Sequence, residues 1–279
     1  MFWRLHKAIF GEQLNTAIKI IEEMNDSYQI VEGTPSQLLA VPFEKLDEPS
    51  LAITTLQDAN RLAMKNFPST PWLFFNKKTY EVSFWLPRIE NNISVLNRNA
   101  IFVPKGNLKN IQQKQLNCIS DKNAKIFIKP NSGNKVFPGF SINNDELFLE
   151  NVEKQLKFSY VEPEEMCVLS EHKDIENIEW RFWIAEREII AYTPYSWDLD
   201  PELIEPPTNI IRMAQLMTQN DWQPDYVYVA DFCTTLTGEV MLIEINAAST
   251  SGVYNAKLEK LLPKIRNTCI REYNGEIDF

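Results

Sequence analysis

Histidine is almost absent from this chain: of 279 residues only His6 and His172 carry an imidazole, so catalysis built on a histidine base has few places to be. The four cysteines, Cys118, Cys167, Cys233 and Cys269, stand singly without CxxC spacing, which argues against a zinc site or a disulfide framework. No apolar run reaches the length of about 18 residues that a membrane span requires. The opening MFWRLHKAIFGEQL is interrupted by Arg4, His6, Lys7 and Glu12, so it does not read as a signal peptide either. A cytoplasmic protein without a membrane partner is expected. Positive charge is in deficit, with 28 Lys and Arg against 38 Asp and Glu and a net charge of −10. Binding nucleic acid through counterion release needs a basic face, so general nucleic-acid binding is not expected, while a local basic pocket is allowed. Internal repeats and low-complexity segments are absent as well.

What is present is the composition of a globular protein, 44% hydrophobic and 11% aromatic, enough for one large α/β domain or two to three lobes. Residues 226–254, YVYVADFCTTLTGEVMLIEINAASTSGVY, read as two strands joined by a tight turn. A turn centred between Thr237 and Gly238 places Asp231 opposite Glu244. Glu244 and Asn246, two apart on one strand, share that face. Two carboxylates and an amide oxygen form a hard-oxygen set suited to Mg²⁺ or Mn²⁺ that keeps other positions for water and phosphate. The alternative is a solvated hairpin face.

Upstream, 125–128 reads as a strand that delivers Lys129 into a loop carrying Gly133, Lys135 and Gly139. Backbone N–H groups and two lysines there form a phosphate clamp or, alternatively, a polar turn, since the spacing is not that of a Walker motif. A short strand at 166–169 ends at Ser170, Glu171 and His172, where a solvated loop is expected. In 178–184, IEWRFWI, Arg181 lies among aromatics and calls for a function or a partner, because burying an unpaired guanidinium is costly. Glu179 is the nearest such partner. Helical spacing marks 12–25, 58–66, 145–156 with Asp145 as cap, 206–217, and 256–271 with a break at Pro263. Strands are expected at 51–56 and 100–104. The aromatic stretch 71–85 reads as core or as an inter-lobe contact.

Taken in order, Lys129 and Lys135, Ser170 and Glu171, Glu179-x-Arg181, Asp231 and Glu244-x-Asn246 resemble the ATP-grasp superfamily. The similarity is closest to the clade, common in phage and bacterial genomes, whose signature is two arginines and one lysine. FIKPNSGNKVFPGF, IEWRFWI, VYVADF and IEINAASTSGVY carry it, with FWLPRIENNISVLNRNAIFVPKGNLK as a looser match upstream, over about the last two thirds of the chain. The resemblance implies an α+β chain of ATP-grasp fold, two α+β lobes sandwiching the nucleotide after an α/β lobe. The implied divisions are 1–115 for the N-terminal lobe, 116–172 for the small lobe with its phosphate loop, and 173–279 for the large lobe with the metal site.

The same resemblance implies roles. Lys129 and Lys135 would contact the phosphates, and Ser170 and Glu171 would lie on the hinge that meets adenine and ribose. Arg181 would sit near the γ-phosphate, with Lys135 as its catalytic companion. Asp231, Glu244 and Asn246 would hold Mg²⁺ or Mn²⁺. One departure stands out: the clade commonly has arginine where Lys129 stands, which removes a bidentate contact and keeps a cation. The implied activity is that of an ADP-forming ligase that activates a carboxylate as an acyl phosphate and joins it to an amine or, less often, a thiol. A kinase on the same ATP site and a non-catalytic nucleotide-binding module are the rivals. Acceptor specificity falls to the N-terminal lobe and to loops such as 194–207, PYSWDLDPELIEPP. A ligand site between lobes and the aromatic patch permit a homodimer.

Overall fold

In a computed structural model of the protein, which describes residues 1–33, 47–64, 71–122, 124–157, 161–196 and 204–277, the strands form three sheets. The first is parallel, with β1 (Phe2–His6) between β2 (Ser27–Val31) and β3 (Ser50–Ile53). Parallel neighbours need a crossover, supplied between β1 and β2 by α1 (Lys7–Phe10) and α2 (Leu14–Glu23). Helix α3 (Leu56–Ala63) follows β3, its first turn capped by Thr55, whose hydroxyl accepts from the Asp58 N–H at 3.4 Å. Helix α4 (Val82–Ile89) leads into the second sheet and runs on through Pro87.

The second sheet belongs to the small lobe. It comprises β4 (Ile101–Pro104), β5 (Lys125–Pro130), β6 (Phe140–Asn143) and β7 (Met166–Glu171), in the order β4-β7-β5-β6 and antiparallel throughout. Helices α5 (Gln113–Leu116) and α6 (Phe148–Leu156) accompany it, and α6 buries Phe148, Val152 and Leu156 with Ile126, Ile128, Cys167 and Leu169. Asp145 lies outside α6 and accepts from the Leu147 N–H instead, at 2.9 Å. β4 lies ahead of the expected division at 115/116 and pairs with β7 of this sheet.

The third sheet, β11-β10-β8-β9, is the large lobe: β8 (Ile175–Ala185), β9 (Glu188–Tyr195), β10 (Val227–Thr235) and β11 (Val240–Ala247). Both of its faces are covered. Trp180, Phe182, Ile184 and Phe232 pack beneath α4 and α7 (Thr208–Gln219), with Trp85 and Tyr80 of the aromatic stretch among them. Trp183, Val227 and Val229 face the opposite way, toward α8 (Leu258–Tyr273) and the first lobe. Pro263 does not break α8, which continues through it. Trp3 and Leu5 of β1 meet Leu258, Leu261 and Leu262 of α8 in this shared core. Asp26 ties the junction, accepting from Trp3 Nε1 at 3.0 Å and from Arg266 Nε at 2.7 Å.

The β10–β11 hairpin closes differently from the expected turn. The Thr235 N–H donates to Glu239 O and the Gly238 N–H to Thr235 O, both at 2.8 Å, so the loop centres on Thr237, with Gly238 at φ +86°. Alone, that turn would pair Asp231 with Ile243. A bulge between Asp231 and Phe232 leaves Ile243 unpaired and sets Asp231 opposite Glu244, the expected partner reached by another route. Of the 194–207 loop, 197–203 lie outside the described residues, as do 65–66 at the end of the expected 58–66 helix and 278–279 of the terminal NGEIDF.

Candidate active site

A cavity of about 650 Å³ opens between the small-lobe and large-lobe sheets. On β5 the alternation of the strand buries Ile126 and Ile128 in the lobe and turns Phe127 and Lys129 into this cleft. Lys129 Nζ donates to Ile243 O at 3.4 Å, the carbonyl of the bulged residue. Burial depresses the Lys129 pKa, partly offset by Glu244. After β5 the chain folds over the cleft through Asn131, Gly133, Lys135 and Gly139.

From that loop Lys135, in the left-handed region at φ +48°, reaches across to the large lobe. Its Nζ donates to Glu244 Oε1 at 2.8 Å. Burial acts against both charges, yet the pair outweighs it: the Lys135 pKa is raised, and Glu244, beside Lys135 and Lys129, is held well below the ordinary carboxylate range. Asn246 Nδ2 bridges the two acids, donating to Asp231 Oδ2 and Glu244 Oε1 at 2.9 Å each. Asp231, Glu244 and Asn246 therefore do converge. Glu244 and Asn246 line the cleft, while Asp231 is fully buried behind them.

Two of the expected site residues, Arg181 and Ser170, stand apart from the lining of this cavity. Arg181 does not line the cleft and does not pair with Glu179. It stands opposite Asp231 on the neighbouring strand, donates to it from Nε and Nη2 at 2.9 and 2.8 Å, and donates from Nη1 to Gly252 O at 3.1 Å. Tyr195 and Tyr254 cover it, with its guanidinium carbon 5.4 and 5.0 Å from their ring centres. Ser170 also misses the cleft. The strand of 166–169 continues through Glu171, so Ser170 and Glu171 point to opposite faces, and Ser170 Oγ donates to Asn97 Oδ1 at 3.1 Å in the interior.

Glu171, His172 and Lys173 form one wall. Lys173 Nζ lies 2.5 Å from Glu171 Oε2, and His172, in the loop after β7, is held by Ser141 Oγ at 2.8 Å and Asp174 Oδ1 at 3.1 Å, all three contacts being solvent-exposed. Glu179 is a cleft residue that the sequence marked only as a partner for Arg181. The Tyr195 hydroxyl donates to its Oε2, and burial raises its pKa. Its spacing of two from Arg181 on a strand was the available signal; Asn97, also in the wall, had none.

Among the described residues no cluster of three or more His, Cys, Asp or Glu could hold a metal ion. The acid pair with Asn246 suits instead a hard cation that takes further oxygens from water and a phosphorylated ligand. Loop 248–254 follows these residues and meets the first lobe: the Thr54 N–H donates to Ser249 O at 2.7 Å and the Val253 N–H to Ile9 O at 3.2 Å.

Two lobes enclosing a cleft with paired lysines on one side and acids on the other are the architecture of the ATP-grasp fold. The chain belongs to that family: residues 107–262, more than half of it, match the ATP-grasp domain, R(2)K clade, family 2. Among solved structures, an ATP-grasp RimK domain protein from Sphaerobacter thermophilus is 11% identical with a TM-score of 0.61, covering 99% of this chain and 98% of that one. D-cycloserine synthetase DcsG is 9% identical with a TM-score of 0.64 over 99% and 98% of the two chains. D-alanine-D-alanine ligase from Bacillus anthracis, complexed with ATP, is 14% identical with a TM-score of 0.60 over 100% of both. At these identities the likeness is one of fold. No curated protein matches the chain in sequence. Among the described residues no helix is long and apolar enough to cross a membrane.

Proposed function

We propose that the protein is an ATP-dependent ligase that activates a carboxylate as an acyl phosphate and joins it to an amine, releasing ADP and phosphate. The observation that carries this reading is the convergence of Lys129, Lys135, Glu244 and Asn246 on one inter-lobe cavity. Its ligase-named structural neighbours support the same class of reaction. Lys129 and Lys135 would bind the phosphates as point charges, and the loop bearing Lys135 would exclude water from the reacting centre. Wall residues 171–173 would meet the base, and Glu179 would accept from the ribose hydroxyls. Glu244 and Asn246, with Asp231 beside them, would hold Mg²⁺, which when bound neutralises charge on the phosphates.

In the first step a carboxylate oxygen attacks the γ-phosphorus, the bond to the β–γ bridging oxygen breaks, and ADP leaves with that electron pair. In the second, the amine attacks the acyl carbon, phosphate departs with the carbon–oxygen pair, and the amine proton passes to solvent. The carboxylate and amine would be met on the side of the cleft beyond Asn246, where loop 248–254 reaches the first lobe.

Calorimetric titration with ATP and Mg²⁺ tests it. Wild type should bind in the micromolar range, and Glu244→Ala combined with Asn246→Ala should weaken Mg²⁺-dependent binding at least about tenfold. Mass spectrometry of reactions with paired acids and amines should then show a condensed product with one ADP released per bond. A stable phosphorylated acid without condensed product would favour a kinase instead, and no nucleotide binding by folded wild type would end the reading.

A further inference from the structure

The contact between Lys135 and Glu244 joins a residue of the covering loop to a carboxylate of the metal set. We propose that Lys135 is a tethered counter-cation that competes with free divalent metal for Glu244, so that metal binds well only when nucleotide draws the lysine away. This rests on the ligase reading for its nucleotide half. Glu244 Oε1 accepts at once from Lys135 Nζ at 2.8 Å and from Asn246 Nδ2 at 2.9 Å. The oxygen a cation would use is therefore already served by a cation and an amide.

Packing does not impose the contact, because the Lys135 side chain remains 54% exposed and has water as an alternative. What brings it across is its loop. The neighbouring Asn134 Oδ1 accepts from Asn60 Nδ2 of α3 at 2.9 Å, and a Cβ added at Gly133 would lie 3.1 Å from Tyr80 Cβ. Those two anchors, on the first lobe and on the aromatic stretch, carry Lys135 over the cleft to the large lobe. A half-exposed ion pair is weak enough to exchange. A polyphosphate offers the lysine more negative charge than one carboxylate does, and each ligand then frees the group that the other needs. By linkage, metal and nucleotide must enhance one another equally.

The test is Mn²⁺ binding without nucleotide, followed by electron paramagnetic resonance, for wild type, Lys135→Gln, Lys135→Arg and Glu244→Gln. Lys135 is exposed enough that its substitution leaves the fold intact, which a thermal melt checks. Lys135→Gln should bind Mn²⁺ about fivefold more tightly than wild type, Lys135→Arg should match wild type, and Glu244→Gln should remove the site. Equal or weaker Mn²⁺ binding by Lys135→Gln than by wild type, or no Mn²⁺ binding by Lys135→Gln, overturns the proposal. Failure of the ligase reading shows separately, as absence of ATP binding by wild type in Mg²⁺, and leaves the Mn²⁺ comparison decided on its own terms.

Discussion

Arg181 and Asp231 face each other across β8 and β10, and the guanidinium meets the carboxylate through two hydrogen bonds of 2.9 and 2.8 Å. Asp231 is 0% and Arg181 6% exposed, so water supplies neither with an alternative. Burial opposes the arginine's charge, but Asp231 more than offsets it and raises its pKa. The third arm, on Gly252 O, fixes the loop that follows Asn246. Arg181 thus supports the acid set from behind.

Replacing Arg181 with Met should leave a buried carboxylate unpaired and cost roughly 3–5 kcal/mol of stability in urea unfolding. Arg181→Met together with Asp231→Leu should recover more than half of that loss. A single substitution as stable as wild type would show that the pair does not hold the sheet.

Lys129→Met removes an ammonium that burial already disfavours. Stability should hold or rise in a thermal melt, while ATP affinity should fall by about 10- to 100-fold, the worth of one charge-assisted hydrogen bond. Unchanged ATP affinity by calorimetry would remove Lys129 from the phosphate site.

Gly139→Ala would place a Cβ 2.5 Å from the tip of the Phe127 ring, which lines the cleft. The ring must then shift from its place in the cavity wall. Weaker ATP binding with a melting temperature within a few degrees of wild type is expected; unaltered binding would mean that Phe127 yields away from the nucleotide.

Glu272, near the end of α8, has its Oε2 buried without a hydrogen-bond partner, and burial raises its pKa from 4.5 to about 7. The raised value means the fold favours the protonated acid. Its contribution is fully present below pH 4.5 and is lost as pH rises through about 7. Glu272→Gln should therefore stabilise the protein at pH 8 and have little effect at pH 4, read as a larger rise in melting temperature at the higher pH. Equal melting shifts at the two pH values would contradict it.

Much of this site was legible because strands advertise their faces. Period-two alternation in IEWRFWI put Glu179 and Arg181 on the face opposite Trp180 and Phe182, and the Glu244-x-Asn246 spacing put both on one face of β11. The partner of Arg181 was hidden because sheet order, not chain proximity, decides it: β8 lies beside β10, some fifty residues on. The β4–β7 pairing was hidden for the same reason. Ser170 turns inward because β7 runs on through Glu171, and alternation along the strand sets the two on opposite faces. Ile243 carries no mark of a bulge, yet that bulge provides the pairing of Asp231 with Glu244 that a turn one step away had been expected to provide.

The core shared by β1 and α8 has a consequence in time. Trp3 and Leu5 are synthesised well before the leucines of α8 that share their core. The stretch between them takes roughly 10–50 s to synthesise at about 5–20 residues per second. Throughout that interval the first sheet lacks the α8 leucines over one face, so a fragment ending before Leu258 should aggregate where the 279-residue chain does not.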